Sequence, residues 1–267
     1  MTTDCIFTIN PGSTSTKIAF VGPDSKILWQ QNVTHEGEPH VPMRDLLLLR
    51  AKNIRDLLAP VANQYQPRAV VGRGGPLRPL HAGTYHISDA MIEDLLSEKY
   101  AKHPSNLGAP FARTFAAEWK VPAFVVDPVT VDDFCDVARV SGFPGIVRRS
   151  RSHALNIRSC AHLAAKEIGK SIADTRFVVA HLGGGISIAA VVSGKITDVN
   201  DALLGMGPFS PERAGALPLE GLIDLQASAK VSVEKLKADL SKNAGLKGYL
   251  GTSDLREVEA RIESGDR

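Results

Sequence analysis

The chain has 267 residues, enough for one large domain or two small ones. Apolar residues make up 43% and charged residues 22%, which excludes a disordered or fibrous chain. Lys plus Arg number 31 and Asp plus Glu 29, and a net charge of +2 gives no electrostatic footprint for nucleic acid. Cys5, Cys135 and Cys160 lie far apart without CxxC spacing, so neither a disulfide framework nor a cysteine zinc site is expected. The reducing cytoplasm is the expected setting. The N-terminus lacks the basic patch and apolar core of a signal peptide, and no run reaches the ~20 apolar residues of a membrane span.

In chain order, Cys5–Asn10 is a short apolar, β-branched run ending at the turn Pro11-Gly12-Ser13. Thr16–Val21 and Lys26–Val33 follow as strands separated by Gly22-Pro23-Asp24-Ser25, the pattern of an antiparallel meander. Arg44–Leu58 carries apolar residues at helical spacing. Ala69–Val71 is a strand that runs into the loop Gly72-Arg73-Gly74-Gly75. Ser88–Glu98 and Gly108–Trp119 read as helices, and Ala123–Val126 as a buried strand that stops at Asp127-Pro128.

The pattern then begins again. Ala154–Ile168 reads as a helix, Phe177–Ala180 as a strand entering His181-Leu182-Gly183-Gly184-Gly185, and Ile186–Val192 and Lys195–Val199 as two more strands. The simplest reading is α/β: two copies of one module facing a cleft, one over 1–150 and the other over 151–267. After Val199 only helical sequence is expected, at Leu217–Ser228, Val233–Leu240 and Asp254–Glu263. A three-stranded meander needs partners for its faces and edges. The second module is therefore expected to be incomplete, with apolar surface left for a partner or a second copy.

The two turns between paired strands are the chemical candidates. Asn10–Lys17 places Gly12 with hydroxyls, including Ser13 and Ser15, and one cation, Lys17, on a hairpin. Glycine lets the backbone approach an oxyanion, and successive N–H groups can form a nest for it. Asn10 adds an amide oxygen that suits a magnesium-bound water. A plain polar hairpin accounts for the same letters. The triple glycine after His181 is entropically expensive unless something packs against its backbone. Neither a Walker A pattern nor a Rossmann fingerprint is present.

These segments carry a family resemblance. Asn10-Pro11-Gly12-Ser13-Thr14-Ser15-Thr16-Lys17 resembles the N-terminal signature of acetate and butyrate kinases. GRGGPLRP (72–79), HPSNL (103–107), VDPVTV (126–131), RRSRSHALN (148–156), HLGGGISI (181–188) and DVNDALLGMGPFSPER (198–213) resemble the butyrate kinase branch. The resemblance implies two ribonuclease H-like modules of the sugar kinase/Hsp70/actin type. It implies reversible ATP-dependent phosphorylation of a short-chain fatty acid to an acyl phosphate, with ATP/ADP and Mg2+ as cofactors and a homo-oligomer as the assembly. Neither nucleic acid nor membrane is an expected partner.

By the same resemblance Arg73 and Arg213 are the active-site arginines, His153 shares the charge of the transferring phosphoryl group, and Asp127 orients the site. Ser13, Ser15, Lys17, His181, Gly183, Gly184 and Gly185 hold phosphates, with Asp254 and Arg256 near base and ribose. Asn10 serves the metal, and His103 with Asn106 shapes the substrate pocket. Read without the family, a loop arginine is a solvated surface residue, Asp127 a loop cap and Asp254 a helix N-cap. Two departures stand out. The family continues past the position of Arg267, into a Gly-Gly adenosine motif and a metal-side glutamate. Ser152 stands where family members often carry an aromatic, altering a wall of the acyl pocket. A non-catalytic remnant that partners a full-length kinase is the alternative.

Overall fold

The computed structural model describes residues 2–12, 15–35, 41–228 and 230–266. Backbone contacts divide it into two compact units, Met1–Val131 and Asp132–Arg267. Residues 132–150 thus group with the second unit, whereas the sequence placed the boundary at 150. The reason is local pairing. Asp132 holds Arg139, the Cys135 N–H donates to Thr197 O, and Arg148 reaches both Asp198 and Val199 O.

The first unit is built on a six-stranded sheet of order β3-β2-β1-β4-β6-β5. Strand β1 (Thr3–Pro11) buries alternate residues Cys5, Phe7 and Ile9, as the two-residue side-chain period of a strand requires. It pairs antiparallel with β2 (Ser15–Val21), which pairs with β3 (Ile27–Thr34), giving the expected meander. Helix α1 (Met43–Leu58) leads to β4 (Tyr65–Arg73), which lies parallel to β1. The short β5 (Thr84–His86) and helices α2 (Asp89–Leu96) and α3 (Gly108–Trp119) precede β6 (Ala123–Val126), parallel to β4. The core joins the inward residues of β1 and β2 to Ile54 of α1 and Phe111 and Phe115 of α3. Phe7 meets Phe115 and Trp119 edge-on, at centroid distances of 5.7 and 5.1 Å.

In the second unit α4 (Ala154–Glu167) packs on an antiparallel sheet of order β7-β8-β9, formed by Arg176–His181, Ser187–Val192 and Lys195–Val199. Helices α5 (Leu219–Ala227), α6 (Val233–Lys242), α7 (Gly245–Leu250) and α8 (Leu255–Glu263) follow, with no further strand among the described residues. Exposed apolar side chains on this unit include Val178, Leu182, Leu219, Ile223 and Tyr249. No described helix is long and apolar enough to cross a membrane.

One close approach fixes the end of β4. A Cβ on Gly72 would collide with the Gly108 carbonyl, and one on Gly108 with the Arg73 carbonyl. Strand end and helix start therefore touch backbone to backbone, and only glycine fits. Gly72→Ala is expected to lower stability by about 3 kcal/mol, since rigid backbone must shift. Gly142→Ala, with nothing within 4 Å of its new methyl, is expected to change stability by less than about 0.5 kcal/mol. Urea denaturation midpoints of the two variants check this.

Candidate functional site

In the first unit the candidate residues gather at the C-terminal ends of β1 and β4. The antiparallel register sets Asn10 opposite Lys17, so their side chains are cross-strand neighbours. Arg73, the last residue of β4, reaches Asn10 Oδ1 with Nη1 at 3.3 Å. Arg50, buried on α1, donates to the Gly12 carbonyl at 3.0 Å and so ties the turn to the helix. Ser15 accepts the Gly12 N–H at its backbone oxygen. Ser13 lies outside the described residues.

Around this group the loop 72–75 is tightly seated. A Cβ on Gly74 would press on Pro128, and one on Gly75 on Asn106. Asn106 is fully buried and donates to Leu95 O and Ala101 O, both at 3.0 Å, while its Oδ1 has no partner. His103 caps the short 3-10 turn 104–107. Its Nδ1 accepts the Ser105 N–H, so Nε2 carries the proton of the neutral ring. Asp127 sits at the end of β6 in a left-handed conformation (φ 41°) and accepts the Gly83 N–H at Oδ1, 2.8 Å away. That is the geometry of a loop cap.

The second unit carries a denser arrangement. His153, which precedes α4, and His181, at the end of β7, stack with centroids 3.8 Å apart and planes 11° from parallel. Each Nδ1 is tethered, His153 to Ser187 Oγ at 2.9 Å and His181 to Asn156 Oδ1 at 2.8 Å. The amide oxygen of Asn156 only accepts, so His181 holds a proton on Nδ1. Each glycine of the following loop leaves room for a different functional group. His181 Nε2 lies 3.4 Å from where a Gly183 Cβ would be, the Glu212 carboxylate 3.3 Å from the Gly184 position, and the Arg213 guanidinium directly at the Gly185 position.

Arg213 is held by short local bonds. Ser210 Oγ accepts the Arg213 N–H at 3.1 Å and donates to Gly184 O at 2.6 Å. The guanidinium donates to Ala202 O, and its buried Nε has no partner. The cations of the 148–151 run are differently engaged, Arg148 with Asp198 and Arg151 with Asp201. Ser152 is buried, its hydroxyl without a partner. Asp254 caps α8 and binds Arg256 through both oxygens. This pairing lowers its pKa to about 2.

Arg73 and Arg213 differ from the arginines around them. Arg55, Arg139, Arg148 and Arg151 each meet a carboxylate. Among the described residues neither Arg73 nor Arg213 does. Burial pushes both guanidinium pKa values down, in Arg213 against the opposing fields of Glu212 and Asp201. A desolvated cation without a counter-ion is destabilising by itself and stabilised by an arriving anion. The motif letters had singled out both arginines. Arg50, Asn156, Ser187, Ser210 and Glu212 carry no such mark in the sequence, because their value lies in what they hold. The only signal was their position inside or beside the motifs.

Solved structures with the same fold define the class. A Porphyromonas gingivalis acetate kinase superposes with a TM-score of 0.75 at 18% identity, over 98% of this chain and 74% of its own. A Francisella tularensis propionate kinase gives 0.75 at 21%, over 100% and 74%. The fold is therefore that of the acetate and propionate kinases, the actin-like α/β class. Among curated sequences, a probable butyrate kinase of Maridesulfovibrio salexigens is 44% identical over 264 residues, covering 98% of this chain and 72% of the relative. Another, from Caldanaerobacter subterraneus, is 42% identical over 266 residues, covering 98% and 75%. The acetokinase family pattern matches residues 144–267. This chain belongs to the acetokinase family.

Two outcomes follow from this geometry. Gly185→Ala places a methyl on the Arg213 guanidinium, the movable end of a long side chain. It is expected to weaken pyrophosphate binding about tenfold or more while changing the thermal midpoint little, as calorimetry and circular dichroism would show. Asp254 has a folded pKa of about 2 against an ordinary 3.8. Its cap and ion pair thus contribute stability above the unfolded pKa and lose it as pH falls through the folded one. Amide protection in the first turn of α8, taken relative to the intrinsic exchange rate at each pH, is expected to fall from about pH 4 down to about pH 2, and Asp254→Asn to flatten that dependence.

Proposed function

We infer that the chain transfers the terminal phosphoryl group of ATP to the carboxylate of a short-chain fatty acid, giving ADP and an acyl phosphate, and catalyses the reverse. The names of its relatives support butyrate as acceptor, and a branched four-carbon analogue is the other candidate. The observation that carries the reading is the pair of half-buried arginines that have no carboxylate partner among the described residues. Phosphoryl transfer needs cations and donors placed in advance for the charge on the equatorial oxygens, and little covalent help.

Arg73 holds the acid's carboxylate beside Asn10 at the end of β1, while Ser15 and Lys17 of β2, with Ser13, hold phosphate. The arginine's forked donors fit two carboxylate oxygens. His103 and Asn106 shape the walls beside it, and Asp127 fixes the loop through Gly83. Gly183, Gly184 and Gly185 seat nucleotide phosphates, with His181 Nε2 and the Arg213 guanidinium over the loop. A carboxylate oxygen forms the new bond to phosphorus as the bond to the ADP oxygen breaks, and Arg213 and His153 share the moving negative charge. Asp254 and Arg256 contribute near the nucleoside.

Magnesium fits as an ion that travels with the nucleotide. No group of three His, Cys, Asp or Glu gathers among the described residues. Mg2+ commonly uses substrate phosphates, waters and one or two protein oxygens. Asn10 Oδ1, which now accepts a long hydrogen bond from Arg73, would serve such an ion through a bound water. Exposed Leu219, Ile223 and Tyr249 favour self-association, and three free cysteines suit a cytoplasmic setting. The non-catalytic alternative has no observation in its favour.

Trapping the acyl phosphate as hydroxamate tests the reading, with Mg-ATP and a panel of acetate, propionate, butyrate and isobutyrate. Turnover is expected, strongest with the four-carbon acids. Arg73→Ala and Arg213→Ala are each expected to reduce it by about 100- to 1,000-fold. A folded chain that gives no hydroxamate with any acid would sink the proposal.

A further inference from the structure

The triple-glycine loop has one neighbour that does not suit a phosphate. The Arg213 guanidinium over Gly185 is a donor that an anion would welcome, and His181 Nε2 becomes one when the ring takes a second proton. The third, over Gly184, is the Glu212 carboxylate. An ionised carboxylate only accepts hydrogen bonds. Next to bound phosphates it is tolerable only if a donor reaches it.

Glu212 has acceptor capacity to spare. It is half-buried, feels the field of Arg213 and, among the described residues, makes no ion pair, and its one side-chain hydrogen bond there is a long one, Ser253 Oγ to Oε1 at 3.5 Å. Its backbone is fixed, because Glu212 O accepts the Ala244 N–H and its neighbours Ser210 and Arg213 bond each other through main-chain atoms. It therefore sits in a rigid turn that joins the glycine loop to the segment entering α8. Asp254, the other carboxylate in that segment, is already occupied. Its Oδ1 takes the backbone N–H and Nε of Arg256, and its Oδ2 takes Nη2.

We propose that Glu212 accepts the hydroxyls of the nucleotide's ribose and so selects ribonucleotides over nucleotides lacking the 2′,3′-diol. This rests on the reading of Gly183–Gly185 as a phosphate seat. In a nucleotide the group attached next to the phosphates is the ribose, whose vicinal diol offers two O–H donors. A carboxylate with two acceptor oxygens matches that diol. The residue thus touches the sugar, while Arg213, next in sequence, touches the phosphates.

The test is calorimetric titration of the full 267-residue chain with Mg-ATP, Mg-2′,3′-dideoxy-ATP and Mg-tripolyphosphate. The wild type is expected to prefer ATP over the dideoxy analogue by about tenfold or more, the weight of hydrogen bonds to a charged group. Glu212→Ala is expected to abolish that preference by weakening ATP, while tripolyphosphate binds equally well or tighter. Glu212→Gln keeps the shape and one acceptor and is expected to fall between the two. Thermal melts of both variants confirm that they fold. A preference that survives in Glu212→Ala, or is missing in the wild type, overturns the proposal. So does a parallel loss of tripolyphosphate affinity, which would place Glu212 at the metal or the phosphates. A wild type that binds neither ATP nor tripolyphosphate overturns the phosphate-seat reading itself, and the ribose assignment with it.

Discussion

The structure depends most on a charge that is half-buried rather than fully hydrated. Arg213 keeps its guanidinium against the glycine loop, with a buried Nε unpartnered and no carboxylate paired to it. Desolvation works against such a group, and a bound anion reverses the balance. Much of the second unit serves that arrangement. Gly185 is bare because the guanidinium occupies its side-chain volume. Ser210 fastens the arginine's own N–H to the loop through Gly184 O. Position 245 takes a glycine because its φ is +60° and a side chain there would strike Ser210 O and Arg213 O.

The first unit solves a related problem with different means. Arg73 ends a strand, and the approach of Gly108 to that strand end leaves it little freedom. Its polar contact is the neutral amide of Asn10, which orients the guanidinium without cancelling its charge. Arg50 shows the contrast. It is an arginine buried on α1, where it serves the turn carbonyl of Gly12. Burial alone therefore does not mark an anion site. What distinguishes Arg73 and Arg213 is a place at a strand end or glycine loop with no carboxylate paired to them among the described residues.

Much of the fold was legible in the sequence wherever local pattern and tertiary demand agreed. The alternation of Cys5, Phe7 and Ile9 announces β1, and α3 runs from Gly108 to Trp119 as the apolar spacing implied. Strand β4 begins at Tyr65, earlier than the apolar run at 69–71, because Tyr65, Gln66 and Pro67 pair with Thr3, Asp4 and Cys5 through the backbone. That register leaves no mark in hydropathy. β5 is three residues long and owes its existence to antiparallel pairing with β6. α7 is six residues long, and its first turns are fixed by bonds from Leu246 and Lys247 to Ser210 O and Pro211 O. In the candidate site the motifs pointed to Arg73 and Arg213, yet the missing counter-ions are a fact of three dimensions. Asp254 and Asp127 take the capping geometries that local chemistry alone suggests, so the resemblance adds a role there that their contacts do not require. Asn156 and Ser187 were invisible because nothing in a linear reading links them to the histidines they orient.

The contact of Gly72 with Gly108 also bears on how this scaffold can be altered. A backbone-to-backbone junction has no side chain to trim or enlarge, so it offers no graded adjustment. The strand end that presents Arg73 and the start of α3 must move together or not at all. Variation beside this strand end therefore has to come from replaceable side-chain walls such as Asn106, against which Gly75 is packed. The same junction acts as a fixed datum, against which shifts of those walls can be measured in a series of variants.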